Sequence, residues 1–493
     1  MNALHSFDED EEIAGSQPAN DPSNLPTAPD LGKWESPYNS NEIKSTIGSA
    51  NDGGGANRSA VELWGGLECS VIRVGGDLRD QLRETGHHDR TTDLEAVAAL
   101  GIRTLRYLVS WERVAPSGPA LCDWAWHDER LAELRRLGIK PILGLVHHGG
   151  GPAYTGLNDP CFPELLAEFA GHVAQRYPWV EEWTPVNEPL TTARFSGLYG
   201  HWFPHHCSEE SFLRMVALQC RGVLLAMRAI RRHNSAARLV QTEDLSKTFA
   251  TTPLAYQAIH ENERRWLSLD MLCGRIDRDH TWYSRLMVAG VPETQLQDFL
   301  AGDLAPMTIG LNYYVTSERF LDHRLRLYPS ATHGGNGRDQ YADTEAVRVP
   351  LASGIIGWLP RLREAWERYP GMPLAVTEAH IGCTEDEQLR WLAECWQAVA
   401  DLRAEGADFR AVTAWALFGA VDWCSLLTRR AGRYEPGAFD VSCLDVAGRP
   451  GSTLLAEGLK ALAHNGEISH PALQEPGWWA RDDRLHLGLQ KAG

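Results

Sequence analysis

Glu182-Trp183-Thr184-Pro185-Val186-Asn187, running straight into Glu188-Pro189, is a short apolar-rich run that delivers an acid at its end. Pro373-Leu374-Ala375-Val376-Thr377-Glu378-Ala379 repeats the arrangement far along the chain. An acid capping an apolar strand is costly unless it is paired, hydrogen-bonded or at work. Working outward, six further runs read as strands: Leu63–Cys69, Arg103–Leu108, Pro141–Val146, Arg238–Thr242, Met307–Tyr313 and Ala411–Leu417. Helical patterns lie between them at Thr92–Leu100, Trp126–Leu137, Pro163–Tyr177, Ser211–His233 and Glu385–Glu405. Three of these stop at a glycine just before the next strand, Leu100-Gly101, Leu137-Gly138 and Glu405-Gly406. Strand–helix alternation of this kind predicts an α/β protein with a parallel sheet. Eight units predict a (β/α)8 TIM barrel, whose chemistry sits at the C-terminal ends of the strands. An open doubly wound sheet is the alternative, but no Gly-rich phosphate loop follows any strand.

The 493 residues would suit roughly three domains at about 150 residues each. The alternation instead joins residues 61–465 into one unit, flanked by an N-terminal tail, 1–60, and a C-terminal tail, 466–493. The first is rich in Ser, Asn, Pro and Gly, carries ten acids against three bases (Lys33, Lys44, Arg58), and reads as disordered. The second, with Pro471, Pro476 and Trp478-Trp479, reads as a tail or surface strap. A formal net charge of −18 disfavours nucleic acid and anionic membranes as partners. No apolar run reaches the roughly 18 residues of a membrane span. Asp8 to Glu12 stand where a signal peptide would need a basic and then an apolar stretch, so the expected compartment is the cytoplasm. Ten cysteines at irregular spacings, with no CxxC pair, read as reduced thiols. The 18 tryptophans exceed ordinary core needs and suggest flat stacking surfaces, for instance for sugar rings.

Two glutamates at one barrel mouth suggest a carboxylate pair flanking a glycosidic bond. Trp183 to Pro189 resembles the Thr-Xaa-Asn-Glu-Pro acid/base motif of glycoside hydrolase family one, the β-glucosidase family of retaining (β/α)8 enzymes. Pro373 to Glu378 is similar to its nucleophile strand, and the resemblance runs in order over residues 61 to 460. It implies that Glu188 is the acid/base and Glu378 the nucleophile, with their carboxyl groups roughly 5–5.5 Å apart as retention requires. It further implies that Arg106, in Arg106 to Trp111, and Tyr314, in Gly310-Leu311-Asn312-Tyr313-Tyr314, hold the nucleophile. Asn187 and His147 would contact sugar hydroxyls, Trp415 would floor the sugar subsite, and Asp422-Trp423 would read hydroxyls; Asn312 belongs to the same substrate-binding set. The implied partner is a small glycoside or oligosaccharide, with no cofactor and no metal. A transglycosidase using the same residues and a non-catalytic sugar-binding protein are the rival readings.

The departures fall on recognition rather than bond breaking. Ala379-His380 replaces Asn-Gly after the nucleophile, His148 replaces Trp, Asp422 replaces Glu, and Phe418-Gly419-Ala420 replaces Leu-Asp-Asn-Phe. The sugar-reading Gln near the first strand has no counterpart in Trp64 to Arg73. Glu68, Asp80 and Gln81 are candidates to replace it, and the glycon is expected to be unusual. His87-His88 are placed either near the site or in helix capping. The cluster His201, His205, His206 and Cys207 is read as a loop rimming the pocket, because its spacing fits no zinc site. Gly334-Gly335-Asn336-Gly337 is read as a mobile loop over the mouth.

Overall fold

A computed structural model describes residues 60–486 apart from Asp303 and Pro306. The N-terminal tail reading therefore lies outside the described residues, but for Ala60. Eight strands, numbered here among themselves, close into a parallel barrel: β1 (Glu62–Gly66), β2 (Thr104–Leu108), β3 (Lys140–His147), β4 (Glu182–Asn187), β5 (Arg238–Asp244), β6 (Met307–Tyr313), β7 (Leu374–Ala379) and β8 (Phe409–Ala414). Each pairs with its sequence neighbours, and β8 closes on β1 through the register Leu63 to Val412. All eight expected strands are present. β8 ends three residues early, because beyond Ala414 the chain leaves the ladder and Leu417 N–H bonds back to the Gly66 carbonyl at 2.9 Å.

Inside the barrel, Trp64, Ile142, Val240 and Ala375 come from β1, β3, β5 and β7 and form one layer together with Ala411. Layers built from alternate strands are how a closed parallel barrel fills its interior. Outside, the helices α1 (Asp93–Ala99), α2 (Ala125–Arg136), α3 (Phe162–Arg176), α4 (Glu209–Arg231), α5 (Leu267–Leu272), α6 (Trp358–Arg368), α7 (Glu385–Glu405) and α8 (Leu454–Asn465) follow the strands in turn. α7 ends at Gly406, whose φ of +116° suits the left-handed cap predicted for it.

One feature departs from the sequence reading. The stretch Gly334–Gly337 is not a loop over the mouth. His333–Gly335 is a strand hydrogen-bonded to Gln340–Glu345, and Gly337 takes its φ of +85° in the connecting turn. Together with Glu318–Asp322 and Lys247–Ala250 these strands make a four-stranded sheet inserted around β5 and β6. The described part of the C-terminal segment lies against the barrel's outer layer. Trp479 is buried edge-on against Trp391 and gives its indole N–H to Glu394 at 2.7 Å, while Arg481 pairs with Glu387 at 2.5 Å.

Candidate active site

The C-terminal ends of β2, β3, β4, β6 and β7 converge on one buried cluster. β7 carries a register irregularity between Val376 and Glu378 against β6, so the strand bulges just before the glutamate. A bulge re-aims the side chain beside it and frees backbone groups from the ladder. The Thr377 carbonyl accepts from Arg106 Nη1 at 2.7 Å, and the same nitrogen donates to Glu378 Oε1 at 2.8 Å. Arg106 Nη2 donates to Asn187 Oδ1 at 2.6 Å, which ties β2 to both acid-bearing strands. Tyr314 donates its hydroxyl to the other Glu378 oxygen. Glu378 is only 2% exposed, and burial raises its pKa, but Arg106, Tyr314 and Asn312 all pull it back towards the charged form.

Glu188 sits in a different environment. It takes a left-handed backbone, φ +46°, which costs a non-glycine residue on the order of 1–3 kcal/mol. The conformation is held by its N–H on the Thr242 carbonyl at 3.2 Å and its carbonyl under Thr192 N–H at 2.9 Å. Asn312 donates to Glu188 Oε1, and Thr377 Oγ1 donates to Asn312 Oδ1 at 2.6 Å, so one asparagine links the two acid-bearing strands. Burial raises the Glu188 pKa well above the carboxylate range, and the charges of Glu378, Asp244 and Glu243 raise it further. Among the described residues no Arg or Lys pairs with it; His148 Nε2 is 3.8 Å away, and burial and the charge of Arg106 hold that imidazole's pKa down to about 3. Burial and its acidic neighbours therefore hold the Glu188 proton more tightly than that of Glu378 is held.

Asn187 accepts from Thr242 Oγ1 at 2.7 Å and turns its amide N–H2 to His147 Nε2 at 3.2 Å and His148 Nε2 at 3.4 Å. His147 is neutral, its pKa pushed well down by burial, and it stacks on Trp415 with ring centres 5.6 Å apart and planes 8° from parallel. The Arg106 guanidinium lies 4.6 Å from the Trp415 ring. Trp415 can sit so deep because residue 66 is glycine: a Cβ there would come within 2.3 Å of the indole.

The structure thus brings together Arg106, His147, Asn187, Glu188, Asn312, Tyr314, Glu378 and Trp415. Trp423 lies at the rim, edge-on to His148 and Trp202. Asp422 differs from the hydroxyl-reading role expected of it. Its Oδ1 accepts from Arg433 N–H at 2.8 Å, and its Oδ2 from Ala431 N–H at 3.1 Å and Arg79 Nη2 at 3.0 Å. These bonds hold the shorter side chain to the loop that carries it and to Arg79.

Of the open candidates, Asp80 accepts from Arg113 at Oδ2 and from Arg83 N–H at Oδ1, and Gln81 bonds Glu84 and Val421. His87 is buried between Asp93 at 2.8 Å and Tyr107 at 3.0 Å, a structural position. His205 bridges Gly75 N–H and the Gly200 carbonyl, and His206 bonds Ser211 and Asn158, so these histidines pin the β4 loop. Among the described residues no group of His, Cys, Asp and Glu is arranged to hold a metal ion.

One residue that sequence reasoning missed is Glu243, on β5 directly behind the acid. Its Oε2 accepts from Leu190 N–H at 2.8 Å and Ser268 Oγ at 2.7 Å; its Oε1 accepts from Thr191 N–H at 3.2 Å and Thr191 Oγ1 at 3.1 Å. It thereby caps the short helix Pro189–Ala193 that follows Glu188. The signal in the chain is a pair of acids, Glu243-Asp244, at the end of the strand Arg238–Asp244.

The model of glycosyl hydrolase family 1 matches residues 75–434, most of the barrel. The chain belongs to glycosyl hydrolase family 1. As a member it is a retaining β-glycosidase. Membership is distant. Beta-glucosidase 47 of Arabidopsis thaliana is 22% identical over 398 residues, 71% of this chain and 71% of that protein. The bifunctional beta-D-glucosidase/beta-D-fucosidase of Bifidobacterium breve is 23% identical over 426 residues, 75% of this chain and 86% of its own. Among solved structures, the family 1 β-glucosidase from Thermotoga maritima superposes with a TM-score of 0.65 at 16% identity, covering 83% of this chain and 98% of that one. That likeness is one of fold, the (β/α)8 barrel.

Proposed function

We propose that Glu188 and Glu378 divide a double displacement between them. The Glu378 carboxylate attacks the anomeric carbon of a β-glycoside while Glu188 passes its proton to the departing glycosidic oxygen. The C–O bond to the aglycone breaks and a glycosyl ester forms on Glu378. Glu188, now a carboxylate, takes a proton from water, whose oxygen displaces the ester and leaves the sugar with its original configuration. Asn187, with both Oδ1 lone pairs engaged and its amide group set between His147 and His148, is fixed at the edge of the sugar subsite. Trp415 stacks beneath the ring.

The observation that carries this division is the contrast between the two carboxyl groups. Glu378 is held by an arginine and a tyrosine hydroxyl, whereas Glu188 has acids and the neutral His148 imidazole around it, with Asn312 bonding it between the two. Azide tests it on aryl β-glucosides and β-fucosides, the sugars in the relatives' names. Glu378→Gly with azide should yield the inverted glycosyl azide, and Glu188→Ala the retained one. Identical stereochemistry from both, or full turnover by either without azide, would overturn the assignment. Added alcohols separate hydrolysis from transfer, since a transglycosidase forms the alkyl glycoside in preference to free sugar. A sugar-binding protein would leave Glu378 unlabelled by fluorinated glycosyl inactivators.

A further inference from the structure

We propose that Glu68 is the residue that reads the glycon, its free carboxyl oxygen accepting a hydrogen bond from a sugar hydroxyl that also receives the Trp423 indole N–H. The inference rests on the cleft of Glu188 and Glu378 being the sugar subsite, as argued above.

Glu68 leaves the end of β1 between two residues that touch that subsite. Gly66 lies directly against Trp415, and Cys69 Sγ is 3.4 Å from Nδ1 of the His147 that stacks on the same indole. The glutamate is only 5% exposed. Its Oε1 is spoken for, accepting Ser70 N–H at 2.9 Å and Ser70 Oγ at 2.6 Å, whereas no donor bonds its Oε2 among the described residues. A buried carboxyl group with one oxygen fastened and the other open is oriented, not merely tolerated. Burial pushes its pKa up to about 7, and the Glu378 charge contributes to the rise.

The partner group is Trp423. Its indole nitrogen is buried and closes no hydrogen bond of ordinary geometry among the described residues, yet it lies near enough to Glu68 to favour that residue's charged form. A sugar hydroxyl donates one hydrogen bond and accepts others. An open carboxyl oxygen beside an unpartnered indole N–H offers both halves. Asp422, which stands where the family's hydroxyl-reading glutamate belongs, is held by Arg79 and two backbone N–H groups and offers neither. The carboxylate that reads the sugar has in this way moved from the eighth strand to the first. The ligand class is a neutral glycon with a free hydroxyl facing Glu68, not an acylated or etherified one at that position.

The test uses wild type, Glu68→Gln and Glu68→Ala with a set of aryl β-glycosides, each lacking one hydroxyl at C3, C4 or C6. Wild type should lose about 100-fold in kcat/KM on one of the three, because an unpaired buried carboxylate is left behind. Glu68→Ala should be slower on the parent glycoside yet lose less than about threefold further on that same analogue, the two changes removing one shared contact. Glu68→Gln keeps the Ser70 contact and should fall between them, which separates recognition from folding. Equal penalties on every analogue in wild type and variants would overturn the inference while leaving the catalytic assignment intact. A wild-type enzyme that turns over no β-glycoside and is not labelled at Glu378 would overturn the catalytic assignment and this inference with it.

Discussion

Tyr314→Phe isolates one interaction of the nucleophile. The tyrosine donates a single hydrogen bond to Glu378 Oε2, while Arg106 retains Oε1 at 2.8 Å. The ring itself is half-buried, so the variant keeps its packing and loses only the hydroxyl. A hydrogen bond to a charged group contributes about 1.5–3 kcal/mol. Where that energy is lost from the ionised nucleophile, kcat/KM should fall about 10- to 150-fold. The sign of the pH effect follows from the same contact. Burial raises the Glu378 pKa and the Tyr314 hydroxyl lowers it, so removing the hydroxyl raises it further. The acid limb of kcat/KM, which reports Glu378 losing its proton in the free enzyme, should move to higher pH by about 1–2 units. The assay is the pH profile of aryl β-glycoside hydrolysis, with circular dichroism to establish folding. A folded variant with wild-type rate and an unmoved acid limb would refute the reasoning, because Glu378 would then not need its donors.

The opposite limb tests the residue behind the acid. Glu188 is raised by burial first and then by neighbouring acids including Glu243, so Glu243→Gln should lower its pKa and shift the basic limb of kcat/KM to lower pH. Glu243 itself titrates near 7 through burial, so the shift should appear above that pH; a basic limb that stays put would remove Glu243 from the mechanism. Gly66→Ala places a methyl within 2.3 Å of Trp415, forcing the indole off His147 and Arg106. It should cost about 1–3 kcal/mol of stability by urea unfolding and about 100-fold in kcat/KM; an unchanged variant would mean that the indole is free to move.

The tryptophans show how far composition alone can mislead. Their surplus suggested stacking surfaces for sugar, but most serve packing. Trp64 fills the barrel, Trp111 stacks on Phe169, and Trp358, Trp391 and Trp479 join α6, α7 and the C-terminal segment. Among the described residues, Trp202, Trp415 and Trp423 stand at the mouth, near His147 and His148.

The linear chain by itself determined the eight strands and the places where two of them end in glutamate. Hydrophobic periodicity and strand-end acids are local properties, written within a few residues of one another. It also carried the order of motifs that marks glycosyl hydrolase family 1. Only the tertiary structure decided which partners each carboxyl group has. Asp422 is held by Arg79, 343 positions away in the chain, and Glu68 is left open because Ser70 takes only one of its oxygens. The aim of Glu378 depends on a bulge between strands β6 and β7, and the proton of Glu188 depends on acids from β5 and β7. A side chain's charge state and orientation are set by what lies within a few ångströms of it in space, and closure of the barrel is what assembles those neighbours.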